Sequence, residues 1–238
     1  MILCLDCGNT RLKWGLSENG KWLERGALPL SEIGMLQQIV ASLAKPRQAI
    51  VCNVAGTMMA EAIAAALTMP ITWVGSLAEQ CGVKNNYEDP SQLGADRWAA
   101  LIGARRIYQG ACLVVNAGTA TTVDVLDAEG IFQGGLILPG IELMRRALAG
   151  NTAQLPLAAG ECKALPRNTP DAIASGCLLA TVGAIEAMFA RVSGQSGAIC
   201  LLSGGAADSF AALLDIPLLC IDNLVLEGMA YIGAASGE

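Results

Sequence analysis

Three stretches of this chain hold side chains at spacings from which chemistry could be built. The first is Asp6-Cys7-Gly8-Asn9-Thr10-Arg11-Leu12-Lys13. An apolar run, Ile2 to Cys7, delivers a carboxylate to the edge of a tight turn. Gly8 lets backbone approach a ligand closely, so N–H groups of residues 8–11 can converge on phosphate oxygens. Thr10 adds a hydroxyl, and Lys13 on the returning strand adds a compact positive charge for the same anion. Asp6 suits the Mg²⁺ that accompanies a nucleotide, an ion held by one or two carboxylates together with water and phosphate oxygens. Alone, such a turn is also an ordinary hairpin.

The second stretch, Asn116-Ala117-Gly118-Thr119-Ala120-Thr121-Thr122-Val123-Asp124, is dense in hydroxyls and backbone donors. Thr119 is placed to donate to a phosphate oxygen, and the small residues around it leave room for that approach. A threonine-rich strand is the plainer alternative. The third is Gly94-Ala95-Asp96-Arg97, at the expected start of a helix, the end that favours anions. Asp96 is either a first-turn acid complementing the helix dipole or, beside a phosphate clamp, the base for a hydroxyl nucleophile. Phosphoryl transfer needs little more than one orienting carboxylate. Arg97 is a forked donor suited to a substrate carboxylate, or else a surface ion pair. Gly134-Gly135 through Pro139-Gly140 reads as a loop passing close to something, and Ser203-Gly204-Gly205-Ala206 as a turn where an adenine or ribose could lie against backbone.

Composition narrows the chemistry. The chain of 238 residues contains no histidine, which removes Ser-His-Asp and Cys-His catalysis and histidine-ligated zinc. A net charge of −6 argues against nucleic acid as partner, because that affinity rests on Lys and Arg. With 53% hydrophobic residues a sizeable core is available, yet no stretch reads as about 20 apolar residues, so no membrane span is expected. Asp6, Arg11 and Lys13 fall where an apolar leader would begin. The nine cysteines, several in apolar runs, read as free, buried thiols in a reducing cytosol.

The elements that must position these residues form a pattern that occurs twice. Ile2–Cys7, a turn, Leu12–Leu16 and a hairpin at Glu18-Asn19-Gly20 are matched by Ala111–Val115, a turn, Thr121–Leu126 and a turn at Ala128-Glu129-Gly130. Laid over each other without a gap, Asp6 falls on Asn116, Gly8 on Gly118, Leu16 on Leu126, Gly20 on Gly130 and Trp22 on Phe132. Strands and helices alternate after each hairpin. The expectation is an α/β protein of two similar halves, residues 1–106 and 107–238, with a cleft between them.

Taken together, Asp6-x-Gly8-Asn9-Thr10 with Lys13, Tyr87 ahead of Gly94-x-Asp96-Arg97, Gly118-Thr119-Ala120-Thr121-Thr122-x-Asp124 and Gly134-Gly135-x-Ile137-x-Pro139-Gly140 resemble the type III pantothenate kinases. That family belongs with the actin-like, sugar-kinase-like and Hsp70-like ATPases, and the resemblance runs in order along essentially the whole chain. It implies two actin-like, ribonuclease H-like halves, a nucleotide cleft, and ATP-dependent phosphorylation of pantothenate at the entry to coenzyme A synthesis. It also implies Mg²⁺, a monovalent cation (K⁺ or NH₄⁺) and a cytoplasmic homodimer. By matched position, residues 6–13 (Asp6, Cys7, Gly8, Asn9, Thr10, Arg11, Leu12, Lys13) and Thr119 resemble the ATP contacts. Tyr87, Gly94, Ala95, Asp96, Arg97 and Thr169 resemble the pantothenate contacts, with Asp96 as proton acceptor. Asn116 departs from the pattern: many members carry Asp there as the monovalent-cation ligand. An amide oxygen can still coordinate K⁺ but brings no charge, so a weakened cation dependence is expected. Two other readings stand beside this one: an ATP-binding regulator without catalysis, and a kinase of the same fold acting on a sugar or acetate.

Overall fold

A strand covered on both faces reads as a near-continuous apolar run, and β1 (Ile2–Cys7) is one, interrupted only by Asp6: residues 3–7 are all buried. The computed structural model describes residues 1–151 and 159–236. In it β1 pairs antiparallel with β2 (Arg11–Glu18) and parallel with β4 (Gln48–Asn53). With β3 (Lys21–Pro29) and β5 (Ile71–Trp73) they form a five-stranded sheet in the order β3-β2-β1-β4-β5. One face of this sheet, with Leu3, Leu5, Leu12 and Val51, shares a core with Leu36 of α1 (Leu36–Ser42) and Ile63 of α2 (Thr57–Ala66). The other is covered by α3 (Ala95–Ile107) and α6 (Leu224–Ala235). Cys4 and Cys7 stand in a Cys-x-x-C spacing, but positions three apart on a strand face opposite sides, and both thiols are free.

Contacts divide the chain into two units. The first comprises Met1–Gln109, Gly130–Gln133 and Asn223–Glu238, and the second Gly110–Glu129 and Gly134–Asp222. Besides the five-stranded sheet, the first unit holds a ribbon of β6 (Glu79–Gln80) and β7 (Val83–Asn85). Ile131 and Phe132, at the start of β10 (Ile131–Pro139), pair parallel with Lys84 and Asn85 of that ribbon. The second unit is built on β8 (Cys112–Ala117), β9 (Ala120–Leu126), β11 (Ile199–Ser203) and β12 (Leu218–Cys220), in the order β12-β11-β8-β9-β10. Its core joins Val115, Val123 and Leu202 to Val182, Ile185 and Phe189 of α5 (Thr169–Phe189). Packed on α5 is α4 (Ile141–Asn151).

The repeated pattern is present as structure, with one displacement. β8 and β10 lie 110 positions after β1 and β3, end to end. Between them the gap-free overlay slips. Asp6 faces Lys13 across the first hairpin, whereas Asn116 faces Thr122 across the second, so the second turn is one residue shorter. Leu126 therefore answers to Ser17, not to Leu16. The longer turn between β9 and β10 restores the offset.

Three other expectations need correction. Gly134–Pro139 is strand rather than loop: the apolar run Leu136-Ile137-Leu138 outweighs the glycine pair, and only Gly134 adopts a positive φ, of 119°. α5 has a mean hydropathy of 1.7 over its most apolar window and is long enough to cross a membrane by length and composition. The small side chains and hydroxyls of that window mask the signal in the sequence, and its inner face belongs to the core just described. All nine cysteines are free, but Cys162 and Cys220 are exposed.

α3, which carries Asp96 and Arg97, packs closely on α6. Gly103 and Gly228 lie at the crossing. A Cβ at Gly228 would sit 1.8 Å from the Ala99 carbonyl oxygen, and one at Gly103 would sit 2.3 Å from that of Leu224. Both obstacles are backbone, so neither can swing aside. Gly228→Ala is expected to cost about 3 kcal/mol and lower Tm by roughly 6–12 °C. A thermal melt shifted by less than about 2 °C would show that the crossing relaxes.

Candidate active site

In the first unit the sheet edge and the start of α3 bring three charged groups together. Lys13 lies directly across from Asp6 in the register of β1 and β2, on the same face. Asp6 is only 8% exposed. Burial pushes its pKa from 3.8 to about 6; Lys13 opposes the rise and the Asp96 carboxylate adds to it. Cys52, the partner of Asp6 on β4, carries a thiol held neutral by burial and by the same two carboxylates. Asn9, Thr10 and Arg11 form an exposed turn, closed by the Gly8 N–H donating to the Arg11 carbonyl at 3.1 Å. Cys7 and Leu12 are fully buried in the core, which leaves them only backbone to offer a ligand.

α3 begins at Gly94 with no side-chain cap, and Asp96 lies in its first turn. The Arg97 N–H donates to Asp96 Oδ1 at 2.8 Å. A Cβ on Gly94 would lie 2.7 Å from that same oxygen, so glycine leaves the space the carboxylate occupies. Ala95 and Asp96 are half-buried. Arg97 is 5% exposed, which removes the surface ion pair as its role. Its Nη1 donates to Tyr87 Oη at 2.9 Å, and its guanidinium carbon lies 5.6 Å from the ring centres of both Tyr87 and Phe132. Sequence reasoning found Arg97 and Tyr87 but missed Phe132. Its one signal was an aromatic aligned with Trp22.

In the second unit, two connections pack against the shorter glycine turn. The Gly118 N–H donates to the Ala120 carbonyl at 3.0 Å, and the Gly140 N–H to that of Thr119 at 2.8 Å. A Cβ on Gly140 would meet Gly118 O at 2.3 Å. That is the close passage the Gly134–Gly140 motif announced. Gly204, at φ 103°, packs against Ala117, which a Cβ there would strike at 2.3 Å. Thr119 is exposed and Asn116 half-buried. Thr169, also exposed, opens α5, whose N-cap Asn168 accepts from the Asp171 N–H at 2.9 Å. It borders an open, mainly apolar groove of about 1120 Å³ between α4 and α5.

Gly8 and Gly118 differ from these packed glycines. Neither has a positive φ, and a Cβ on either would meet only a carbonyl oxygen at 3.7 or 3.5 Å, an ordinary contact. The fold does not require glycine at these two turns; a ligand approaching the backbone would.

The family profile for type III pantothenate kinases matches residues 2–191. A type III pantothenate kinase from Aromatoleum aromaticum is 57% identical over 98% of this chain and 97% of its own length. Another from Dechloromonas aromatica is 46% identical over 99% and 100%. The chain belongs to the type III pantothenate kinases. It is therefore a phosphotransferase, and the structural likenesses of this kinase agree in fold. A candidate 2-dehydro-3-deoxygalactonokinase from Sinorhizobium meliloti superposes with a TM-score of 0.66 at 16% identity, covering 99% of both chains. The activator of 2-hydroxyisocaproyl-CoA dehydratase from Clostridium difficile, with bound ADPNP, does so with a TM-score of 0.56 at 12% identity, over 99% and 96%. The kinase has the actin-like α/β fold of two similar halves.

Proposed function

We propose that Asp96 accepts the proton of the primary hydroxyl of pantothenate as that oxygen attacks the γ-phosphorus of ATP. The γ-phosphoryl bond to ADP breaks, and 4'-phosphopantothenate forms, the first step of coenzyme A biosynthesis. The observation that carries this reading is the Asp96 carboxylate, held by the Arg97 N–H at an uncapped helix start beside the Asp6–Lys13 pair. The exposed turn at residues 8–11 and Thr119 supply phosphate contacts, and Lys13 supplies positive charge. Arg97 faces the pantothenate carboxylate, and Tyr87 and Thr169 its remaining polar groups.

The donor set suits Mg²⁺. Asp6 is a buried carboxylate whose pKa stands high despite Lys13, so a further cation is favoured there. Bound through Asp6, directly or through water, Mg²⁺ would screen the phosphate charge. Asn116 offers a neutral oxygen to K⁺ or NH₄⁺, which fits a weak requirement. Leu143 on α4 and Leu179 on α5 are exposed, and exposed apolar side chains on these helices support a homodimer. A monomer at micromolar concentration in sedimentation would overturn that assignment. We assign the duplicated halves to residues 1–106 and 107–238 and place the enzyme in the cytoplasm.

One assay tests the core of this reading. ATP consumption is measured with pantothenate, pantetheine, glucose and acetate side by side, in Na⁺, K⁺ and NH₄⁺ buffers. Turnover with pantothenate is expected, rising a few-fold from Na⁺ to K⁺ or NH₄⁺. Turnover with a sugar and none with pantothenate would overturn the acceptor, and full activity in Na⁺ alone would overturn the role of Asn116.

A further inference from the structure

A guanidinium buried in the protein has to be aimed before it can meet a substrate, and an aromatic face attracts the cation through its quadrupole. Arg97 lies equidistant, at 5.6 Å, from the ring centres of Tyr87 and Phe132. The two rings are themselves 5.1 Å apart and tilted by 46°, an arrangement that aromatic pairs favour. Phe132 is completely buried and is fixed by strand pairing: it faces Asn85 in the parallel register of β7 and β10. Asn85 Oδ1 accepts from the Tyr87 N–H at 3.1 Å, so one residue of β7 ties both rings to one frame. Tyr87 also accepts the Arg97 hydrogen bond, but Phe132 can act on Arg97 only through its ring face and its bulk.

We propose that Phe132 is a positioning residue for the acceptor, aiming the Arg97 guanidinium at the substrate carboxylate through its ring face. The inference rests on the reading of Arg97 as the carboxylate contact. It makes specificity for an acidic acceptor depend on an aromatic side chain that touches no substrate.

The test replaces Phe132 by a fluorinated phenylalanine series, up to the pentafluoro ring, which preserves shape while draining the face of negative charge. Phe132→Leu is made in parallel. KM for pantothenate is expected to rise stepwise with fluorination, by about 10-fold at the pentafluoro ring, with kcat and KM for ATP within twofold and Tm nearly unchanged. With pantetheine, which has no carboxylate, the effect should vanish. KM for pantothenate that ignores fluorination, or that tracks only losses of Tm across the series and Phe132→Leu, overturns the proposal. Arg97→Lys separates the two levels. If it leaves KM for pantothenate unchanged, the underlying reading of Arg97 fails. If it raises KM while the fluorinated series does not, only the role of Phe132 fails.

Discussion

Asp96→Asn is expected to lower kcat with pantothenate by about 10²- to 10⁴-fold while ATP binds as tightly as before. Asparagine keeps the shape of the side chain and an oxygen to accept the Arg97 N–H, so the start of α3 is preserved. What disappears is the group proposed to take the hydroxyl proton. The charge at Asp96 also raises the pKa of Asp6. Removing it lets Asp6 ionise more readily, which favours rather than opposes binding of the nucleotide with its metal. Magnitude separates the two roles that the sequence left open for Asp96. A first-turn acid that only complements the helix dipole is worth about 0.3–1 kcal/mol of stability and nothing in turnover. A proton acceptor is worth about 3–5 kcal/mol of barrier. Single-turnover rates, with nucleotide affinity measured in parallel, decide between them. A variant that retains more than about a tenth of kcat removes Asp96 from the chemistry.

What could be read in the sequence was local. Asp6, Gly8 and Lys13, or Gly94 and Asp96, are separated by a single turn, and the physics that places them acts over the same few residues. Gly8 and Gly118 are informative because their turns close without demanding glycine, so the residue type points outward to a ligand. What escaped was non-local. Nothing near Phe132 announces that it lies beside Asn85, because that pairing joins segments about 47 positions apart in a parallel register that only the folded chain reveals. The burial of Arg97 escaped for the same reason, since its ring partners come from the connection after β7 and from β10. Nothing near Gly103 or Gly228 announces the close backbone approach that requires them, because it joins two different helices. The slip between β2 and β9 was hidden because one residue lost at the first turn is regained at the second, so the flanking landmarks still align. The Gly134-Gly135 pair misled through propensity, which strand pairing overrode.

Asp6→Asn is expected to do opposite things to stability and to function. In protein freed of nucleotide and metal, the Asp6 pKa rises on folding from 3.8 to about 6 because burial disfavours the carboxylate. Below pH 3.8 the group is protonated in both states and contributes nothing. As pH rises from there towards 6, the unfolded chain releases its proton while the folded one retains it, so stability falls. Above about pH 6 the loss is complete, and it amounts to on the order of 3 kcal/mol. Asparagine never ionises, so the variant is expected to be more stable than the parent at pH 7.5 by up to that amount, the opposing attraction of Lys13 being already counted in the net rise. The advantage should shrink on acidification through pH 5 and vanish near pH 4. Urea unfolding of the two proteins across this range isolates Asp6, because every other titrating group is common to both. The same substitution removes the carboxylate proposed to hold Mg²⁺, so turnover should collapse as stability rises, the exchange expected where a fold keeps a strained charge for its chemistry. A stability difference that is absent or indifferent to pH would mean that the carboxylate at position 6 is already at ease in the empty enzyme, and the case for a cation beside it would lose its physical basis.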